Sequence, residues 1–160
     1  MSNIKIVPMA SKAFGATATG VDLKNLSKAE FEELHAAFLV HGFLLFPEQH
    51  LTEQESTAFG ERFGKLEFGG APMANQKKHD DGTFGKIHNL QSQIMRTNVG
   101  NEAWHTDSTY KPISSKVAML SAVVVPDEGG QTELADLRSG YEALDTATKQ
   151  MVAGLSAYHS

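Results

Sequence analysis

A histidine and an aspartate separated by a single residue are the clearest candidates for chemistry in this sequence. In the segment 100–110, only Thr106 separates His105 from Asp107. Residues two apart in an extended strand point to the same face, so a strand here would place an imidazole nitrogen beside a carboxylate oxygen. That arrangement suits a metal ion. A bare pair of this kind is more often two surface residues, and this alternative stays open.

The residues around the pair favour a sheltered metal site. Trp104 and Tyr110 add apolar bulk on either side, and Ser108 and Thr109 add hydroxyl groups. Pro112 bounds the segment, which would place the ligands at a strand end beside a pocket. A second histidine from elsewhere would complete the set of two imidazoles and one carboxylate that holds Fe(II) and leaves three coordination positions open. The pattern therefore predicts half of an iron site.

A second stretch downstream has the pattern of two strands joined by a tight turn. An apolar run occupies 117–125, and Gly129 and Gly130 follow it. The two glycines indicate the turn, and a second short strand is predicted over 131–136.

These two stretches carry a resemblance to a known family. W-H-T-D-S-T-Y at 104–110, L-S-A-V-V-V-P-D-E-G-G-Q-T-E-L-A-D at 120–136 and Y-E-A-L at 141–144 resemble the TauD/TfdA family of Fe(II)- and 2-oxoglutarate-dependent dioxygenases. Within the family, the motifs are similar to those of the 2,4-dichlorophenoxyacetate dioxygenase branch. The resemblance is close over 101–144 and loose over most of the remaining chain. We therefore expect residues 1–160 to be the N-terminal portion of one TauD/TfdA-type dioxygenase domain.

The resemblance implies an α+β fold, a double-stranded β-helix (jelly roll, clavaminate synthase-like) with flanking helices, here truncated. Periodicity alone indicates only a mixture of helices and strands. Residues 65–84 lose any regular pattern between segments that belong to one core, so they are predicted to form an active-site loop.

The resemblance also implies roles for four residues. His105 and Asp107 would be two of the three iron ligands. Thr132 would contact a carboxylate of the cosubstrate 2-oxoglutarate, and Asn101 would line the substrate pocket. The implied reaction uses O2 to hydroxylate a small anionic organic acid, and it releases succinate and CO2. Because Asp107 is retained, hydroxylation is favoured over halogenation, which in relatives requires a small residue at that position.

Two parts of the family's site have no match here. The family needs a second histidine ligand and an arginine for the distal carboxylate of 2-oxoglutarate, because a guanidinium fork binds a carboxylate through two hydrogen bonds. Downstream of Asp107 the only histidine is His159 and the only arginine is Arg138, and neither falls at a matching position. Three hypotheses follow: a fragment of a working hydroxylase, a degenerate metal-binding product without turnover, or a domain that completes its site across a dimer through His159.

Composition limits the classes of protein that fit. The 160 residues suffice for one domain with a core, and 41% of them are hydrophobic. The absence of cysteine excludes disulfides, thiolate metal sites and cysteine nucleophiles. A net charge of -5 without a basic stripe argues against a nucleic-acid partner. There is no apolar run of about 18 residues and no signal-peptide pattern, so we expect a cytoplasmic enzyme without a membrane partner, and a homo-oligomer stays open.

The elements that must position these residues can also be predicted. Capping boxes, in which a hydroxyl residue precedes a glutamate by three positions, occur at Ser27 with Glu30 and at Thr52 with Glu55. Hydrophobic residues at helical spacing extend the two helices to Gly42 and Gly64. Shorter patterns predict strands over 4–8, 43–46 and 86–90, a strand and turn over 15–23, helices over 137–144 and 146–152, and the start of a strand at 155.

Overall fold

The chain forms two compact units. The first comprises residues 1–59 and 120–157, and the second comprises 60–119 and 158–160. The computed structural model describes residues 3–9, 14–67, 76–78, 84–87, 89, 91–100, 102–122 and 125–156. The strands are β1 Lys5–Pro8, β2 Ala16–Thr19, β3 Leu44–Leu45, β4 Gln76–Lys78 and β5 Phe84–Ile87. The helices are α1 Lys28–His41, α2 Glu53–Glu61, α3 Gln93–Gly100, α4 Leu137–Glu142 and α5 Thr146–Val152, and a 3-10 helix covers Leu23–Asn25. None of these described helices has the length and apolarity needed to cross a membrane.

The first unit contains a three-stranded sheet in the order β1-β2-β3. β1 runs antiparallel to β2 with Ile6 opposite Ala18, and β2 runs parallel to β3 with Ala16 opposite Leu44. Ala16 and Ala18 are completely buried on the middle strand, and Leu34 of α1 is the largest fully buried side chain among the described residues. The three strands predicted in this part of the chain are confirmed, although β3 has only two residues.

The predicted capping box opens α1. The Ser27 hydroxyl accepts a hydrogen bond from the Glu30 backbone N–H at 3.2 Å, and the Ser27 N–H donates to the Glu30 carboxylate at 2.9 Å. Hydrogen bonds from the Ser27 hydroxyl and backbone hold the pKa of Glu30 below its usual value. At the other end, Gly42 has φ 79° and its N–H donates to the Phe38 carbonyl at 2.8 Å. α1 therefore begins and ends where the sequence predicts.

The second predicted capping box opens α2. The Thr52 N–H donates to the Glu55 carboxylate at 2.7 Å, and the Glu55 N–H donates to the Thr52 hydroxyl at 3.2 Å. α2 ends at Glu61, and turns carry the chain on to Gly64. The helix is therefore shorter than the prediction, which extended it to Gly64.

One arginine ties α4 to the end of α1. The Asp136 carboxylate caps α4 by accepting from the Arg138 N–H at 3.1 Å, and the Arg138 Nε donates to the same oxygen at 3.0 Å. Arg138 Nη1 donates to the Leu39 carbonyl at 3.2 Å, near the C-terminal end of α1. Hydrogen bonds from Ser139 and Arg138 lower the pKa of Asp136. α4 and α5 confirm the two helices predicted in this region.

The two strands predicted around Gly129 and Gly130 are absent from the described residues. The described parts of 117–125 and all of 131–136 lack regular secondary structure, and Leu120 and Val125 are 79% and 75% exposed. A strand needs a hydrogen-bonding neighbour, and no strand of the two described sheets pairs with these residues. This part of the prediction was wrong. The two sheets have three and two strands, so the expected jelly roll is not seen directly.

The second unit contains a strand pair and a helix. β4 and β5 are antiparallel, with Gln76 opposite Ile87 and an irregularity in register between Gln76 and Lys78. The strand predicted over 86–90 begins earlier, at Phe84, and ends at Ile87. Most of the predicted active-site loop lies outside the described residues, as does most of the strand expected from 155.

Gly42 and Gly140 offer a matched pair of glycine-to-alanine substitutions with opposite expected effects. A Cβ at Gly42 would come within 2.7 Å of the Phe14 ring, and φ is 79°, so Gly42→Ala should lower the free energy of unfolding by about 1–3 kcal/mol. Gly140 lies inside α4 with nothing within 4 Å of its Cβ position. Gly140→Ala should raise the free energy of unfolding by up to about 1 kcal/mol, because alanine has the higher helix propensity. Urea unfolding measures both, and equal stability of the two variants would contradict the left-handed conformation at Gly42.

Candidate metal centre

The structure brings His105 and Asp107 together without a strand. Residues 105 and 106 have no regular secondary structure, and a turn covers 107–110. His105 Nε2 lies 3.3 Å from Asp107 Oδ1, and the two side chains are 48% and 62% exposed. The predicted strand was therefore wrong, although the predicted pairing of imidazole and carboxylate is present.

A backbone carbonyl selects which nitrogen of His105 faces Asp107. His105 Nδ1 lies 2.8 Å from the Ala103 carbonyl oxygen, and a carbonyl can only accept, so Nδ1 carries the hydrogen. In the neutral ring, Nε2 then has a free lone pair that faces Asp107 Oδ1. Two electron-rich atoms 3.3 Å apart are stabilised by a cation between them, either a proton on Nε2 or a metal ion.

The separation of the two donor atoms fits a shared metal ion. Nitrogen and oxygen ligands bind first-row divalent ions at about 2.1 Å, so two donors at right angles lie roughly 3 Å apart. The 3.3 Å between His105 Nε2 and Asp107 Oδ1 is close to that distance. The hydrogen bond on the other ring nitrogen is also the usual arrangement of a metal-bound histidine. The pair therefore fits two positions of a three-residue iron site.

A third ligand is not found among the residues that the structure describes, where no group of three or more His, Cys, Asp or Glu could hold a metal ion. Thr132 is exposed in the irregular segment after Gly129 and Gly130, and it belongs to the first unit, whereas His105 and Asp107 belong to the second. Asn101 and His159 lie outside the described residues.

The apolar shelter predicted around the pair is not formed by its neighbours. The side chains of Trp104 and Tyr110 are mostly exposed. By contrast Ser108, predicted only to add a hydroxyl group, is buried. It has φ 58°, and its carbonyl accepts from the Lys111 N–H at 3.1 Å to close the turn. Ser108 is therefore more enclosed than Trp104 and Tyr110.

One residue that the sequence did not suggest contacts this turn. The Ser108 hydroxyl donates to the Glu67 carboxylate, with 2.9 Å to Oε2 and 3.2 Å to Oε1. Lys111 and Ser115 also donate to the same carboxylate. Glu67 is 41 positions from Ser108 along the chain, and no local pattern connects the two. Only the folded structure identifies this contact.

The sequence matches the family described as "Taurine catabolism dioxygenase TauD, TfdA family" over residues 5–160. The chain therefore belongs to the TauD/TfdA family. The resemblance carried by the residues of 101–144 is confirmed.

Named relatives agree with this assignment. The chain is 45% identical over 147 residues to an (S)-phenoxypropionate/alpha-ketoglutarate-dioxygenase of Sphingobium herbicidovorans, which covers 92% of the chain and 50% of the relative. It is 32% identical over 158 residues to an alpha-ketoglutarate-dependent 2,4-dichlorophenoxyacetate dioxygenase of Cupriavidus pinatubonensis. This match covers 91% of the chain and 55% of the relative. The crystal structure of AAD-2 in complex with Mn(II) and N-oxalylglycine matches with a TM-score of 0.82 and 34% identity, covering 94% of this chain and 53% of that one. The chain thus spans about half the length of the relatives it matches.

Trp104 provides a direct readout of metal binding at the neighbouring His105. It is the only tryptophan in the sequence, and its indole is largely exposed. We expect Mn(II) to change the Trp104 emission in a saturable titration, and we expect His105→Ala to weaken the binding at least tenfold because one of two described donors is lost. His41→Ala, which removes a histidine from the end of α1, is the matched control. An identical titration in the wild type and His105→Ala would exclude this pair as the ligands.

Proposed function

We propose that the protein is an Fe(II)- and 2-oxoglutarate-dependent dioxygenase that uses O2 to hydroxylate a small anionic organic acid, with release of succinate and CO2. The observation that carries this proposal is the approach of His105 Nε2 to Asp107 Oδ1 in a chain of the TauD/TfdA family. The fold proposed for the whole protein is the double-stranded β-helix. In that fold the apolar residues of 117–125 would gain strand partners.

His105 and Asp107 would hold the iron. The Ala103 carbonyl keeps a hydrogen of His105 on Nδ1, so Nε2 is the nitrogen that would bind the metal. The Asp107 carboxylate contributes one negative charge, which partly offsets the charge of a divalent cation. It also fills the coordination position that a halide would need, and this favours hydroxylation.

Thr132 would donate a hydrogen bond from its hydroxyl to a carboxylate of 2-oxoglutarate, and Asn101 would line the substrate pocket. When bound, Fe(II) and 2-oxoglutarate together supply the oxidising chemistry: one atom of O2 enters succinate and the other enters a C–H bond of the substrate. The remaining iron ligand and an arginine for the distal carboxylate are expected in the part of the relatives that this chain does not match. These assignments rest on the family's pattern and on the motif positions in this sequence.

The proposed substrate class follows the named relatives. Their names specify phenoxypropionate and 2,4-dichlorophenoxyacetate, which both combine an aromatic ether with a carboxylate. Another relative, from Pseudomonas putida, is named as a sulfate ester dioxygenase and is 30% identical over 160 residues. A small organic anion is common to all three, and an aryloxy acid is the first substrate to test.

Loss of either proposed iron ligand should abolish turnover. With Fe(II), 2-oxoglutarate and a phenoxypropionate substrate, His105→Ala and Asp107→Ala should each reduce succinate formation by a factor of about 100 or more, because a ligand is removed from the metal. Asp127→Ala, on an exposed loop, is the control and should keep the wild-type rate. Succinate is quantified by mass spectrometry. Undiminished turnover in His105→Ala would refute the iron assignment, and a wild-type protein that binds Mn(II) without producing succinate would favour the non-catalytic hypothesis.

Thr132→Ala should weaken the binding of 2-oxoglutarate and leave the affinity for the metal unchanged. Loss of one hydrogen bond to a charged group corresponds to about a tenfold rise in the KM for 2-oxoglutarate. Mn(II) affinity without 2-oxoglutarate should stay at the wild-type value. Thr146→Ala, an exposed threonine at the start of α5, serves as the control. An unchanged KM for 2-oxoglutarate would remove Thr132 from the site.

A further inference from the structure

The carboxylate of Glu67 gathers three donors from one short segment. Ser108, Lys111 and Ser115 all donate to it, and the Ser108 hydroxyl also lies 3.1 Å from that of Ser115. The three donors belong to 108–115, the eight residues directly after Asp107. Glu67, which is 41 positions away in sequence from Ser108, therefore contacts the segment 108–115 that follows the proposed iron ligand Asp107.

This contact holds Ser108 in an unfavourable backbone conformation. Ser108 has φ 58°, in the left-handed region that residues with a Cβ seldom adopt. Its buried hydroxyl would be costly without a hydrogen-bond partner. The Glu67 carboxylate supplies the partner, and the carbonyl of Ser108 is used by the Lys111 N–H. Side-chain and backbone hydrogen bonds together stabilise the turn in this conformation.

The charges of the contact are partly removed from water. The side chains of Glu67 and Lys111 are 27% and 31% exposed. An amide in place of the Glu67 carboxylate would keep the shape but would place an N–H group among donors. It would also remove the ion pair between Glu67 and the partly buried Lys111 ammonium, and the loss of such a pair costs more free energy than the loss of an exposed one.

We propose that Glu67 is a positioning residue for the metal centre, and this inference rests on the proposed function. Asp107 and Ser108 share a peptide group, so fixing φ of Ser108 restricts the plane of that group. The direction of the Asp107 side chain relative to His105 depends on the same peptide. Glu67 thus acts on the iron site through Ser108, without contributing a ligand.

Glu67→Gln tests this role in the intact protein. Mn(II) affinity is measured by electron paramagnetic resonance of the free ion, and hydrogen–deuterium exchange is followed over residues 107–115. We expect about tenfold weaker Mn(II) binding, the lower end of the range for residues that orient metal ligands, and faster exchange in this segment. Glu61→Gln is the matched control, because it makes the same change of charge at an exposed glutamate six positions away in the same unit.

The conservative variants separate positioning from stability. Glu67→Asp keeps the charge and should recover part of the lost affinity, whereas Ser115→Ala removes one donor and should weaken Mn(II) binding by about threefold. If Glu67→Gln does not fold, as judged by circular dichroism, the Mn(II) affinity of Ser115→Ala tests the proposal instead.

The outcomes distinguish this inference from the proposed function. A lower melting temperature with wild-type Mn(II) affinity in Glu67→Gln would overturn the positioning role and leave the proposed function standing. If Glu67→Gln does not fold, wild-type Mn(II) affinity in Ser115→Ala would overturn the positioning role in the same way. Failure of the wild-type protein to bind Mn(II) would overturn the proposed function, and this inference with it.

Discussion

The hydrogen bond between His105 Nδ1 and the Ala103 carbonyl is the interaction on which the proposed metal centre depends. It spans two residues and 2.8 Å, and it leaves Nε2 as the atom that approaches Asp107 Oδ1. With one hydrogen on Nδ1, the contact between Nε2 and Asp107 Oδ1 is stabilised by a second proton or by a metal ion. The backbone at 103–107 therefore sets the orientation that the proposed metal centre requires, and the contact of Glu67 with Ser108 stabilises the following turn.

Local interactions explain which elements could be predicted. The capping boxes at Ser27 and Thr52 use partners three residues away, and Gly42 ends α1 through its own backbone conformation. Such signals are complete within a few residues of sequence. The apolar run over 117–125 carries the composition of a strand, but its hydrogen bonds must come from another segment. Its described residues are irregular, because composition does not supply a neighbour.

The same distinction separates the predictable and unpredictable parts of the candidate site. His105 and Asp107 are close in sequence, so their spacing predicts that the two side chains meet, even though a turn rather than a strand brings them together. Their role as ligands comes from the family resemblance. The exposure of Trp104 and Tyr110 depends on what covers them, which local sequence does not specify. Glu67 lies 41 residues from Ser108 and gives no local signal, so only the three-dimensional contact reveals it.

The contact between Arg138 and Leu39 has a consequence for synthesis on the ribosome. These residues are 99 positions apart, so the carbonyl of Leu39 has no access to the Arg138 guanidinium while the first hundred residues emerge. The β1–β2 pair and the capped start of α1 involve short loops and can form early, since closing a short loop costs little entropy. The C-terminal end of α1 gains this hydrogen bond only after α4 has left the exit tunnel. A nascent chain stalled before residue 138 should therefore lack the link between α1 and α4.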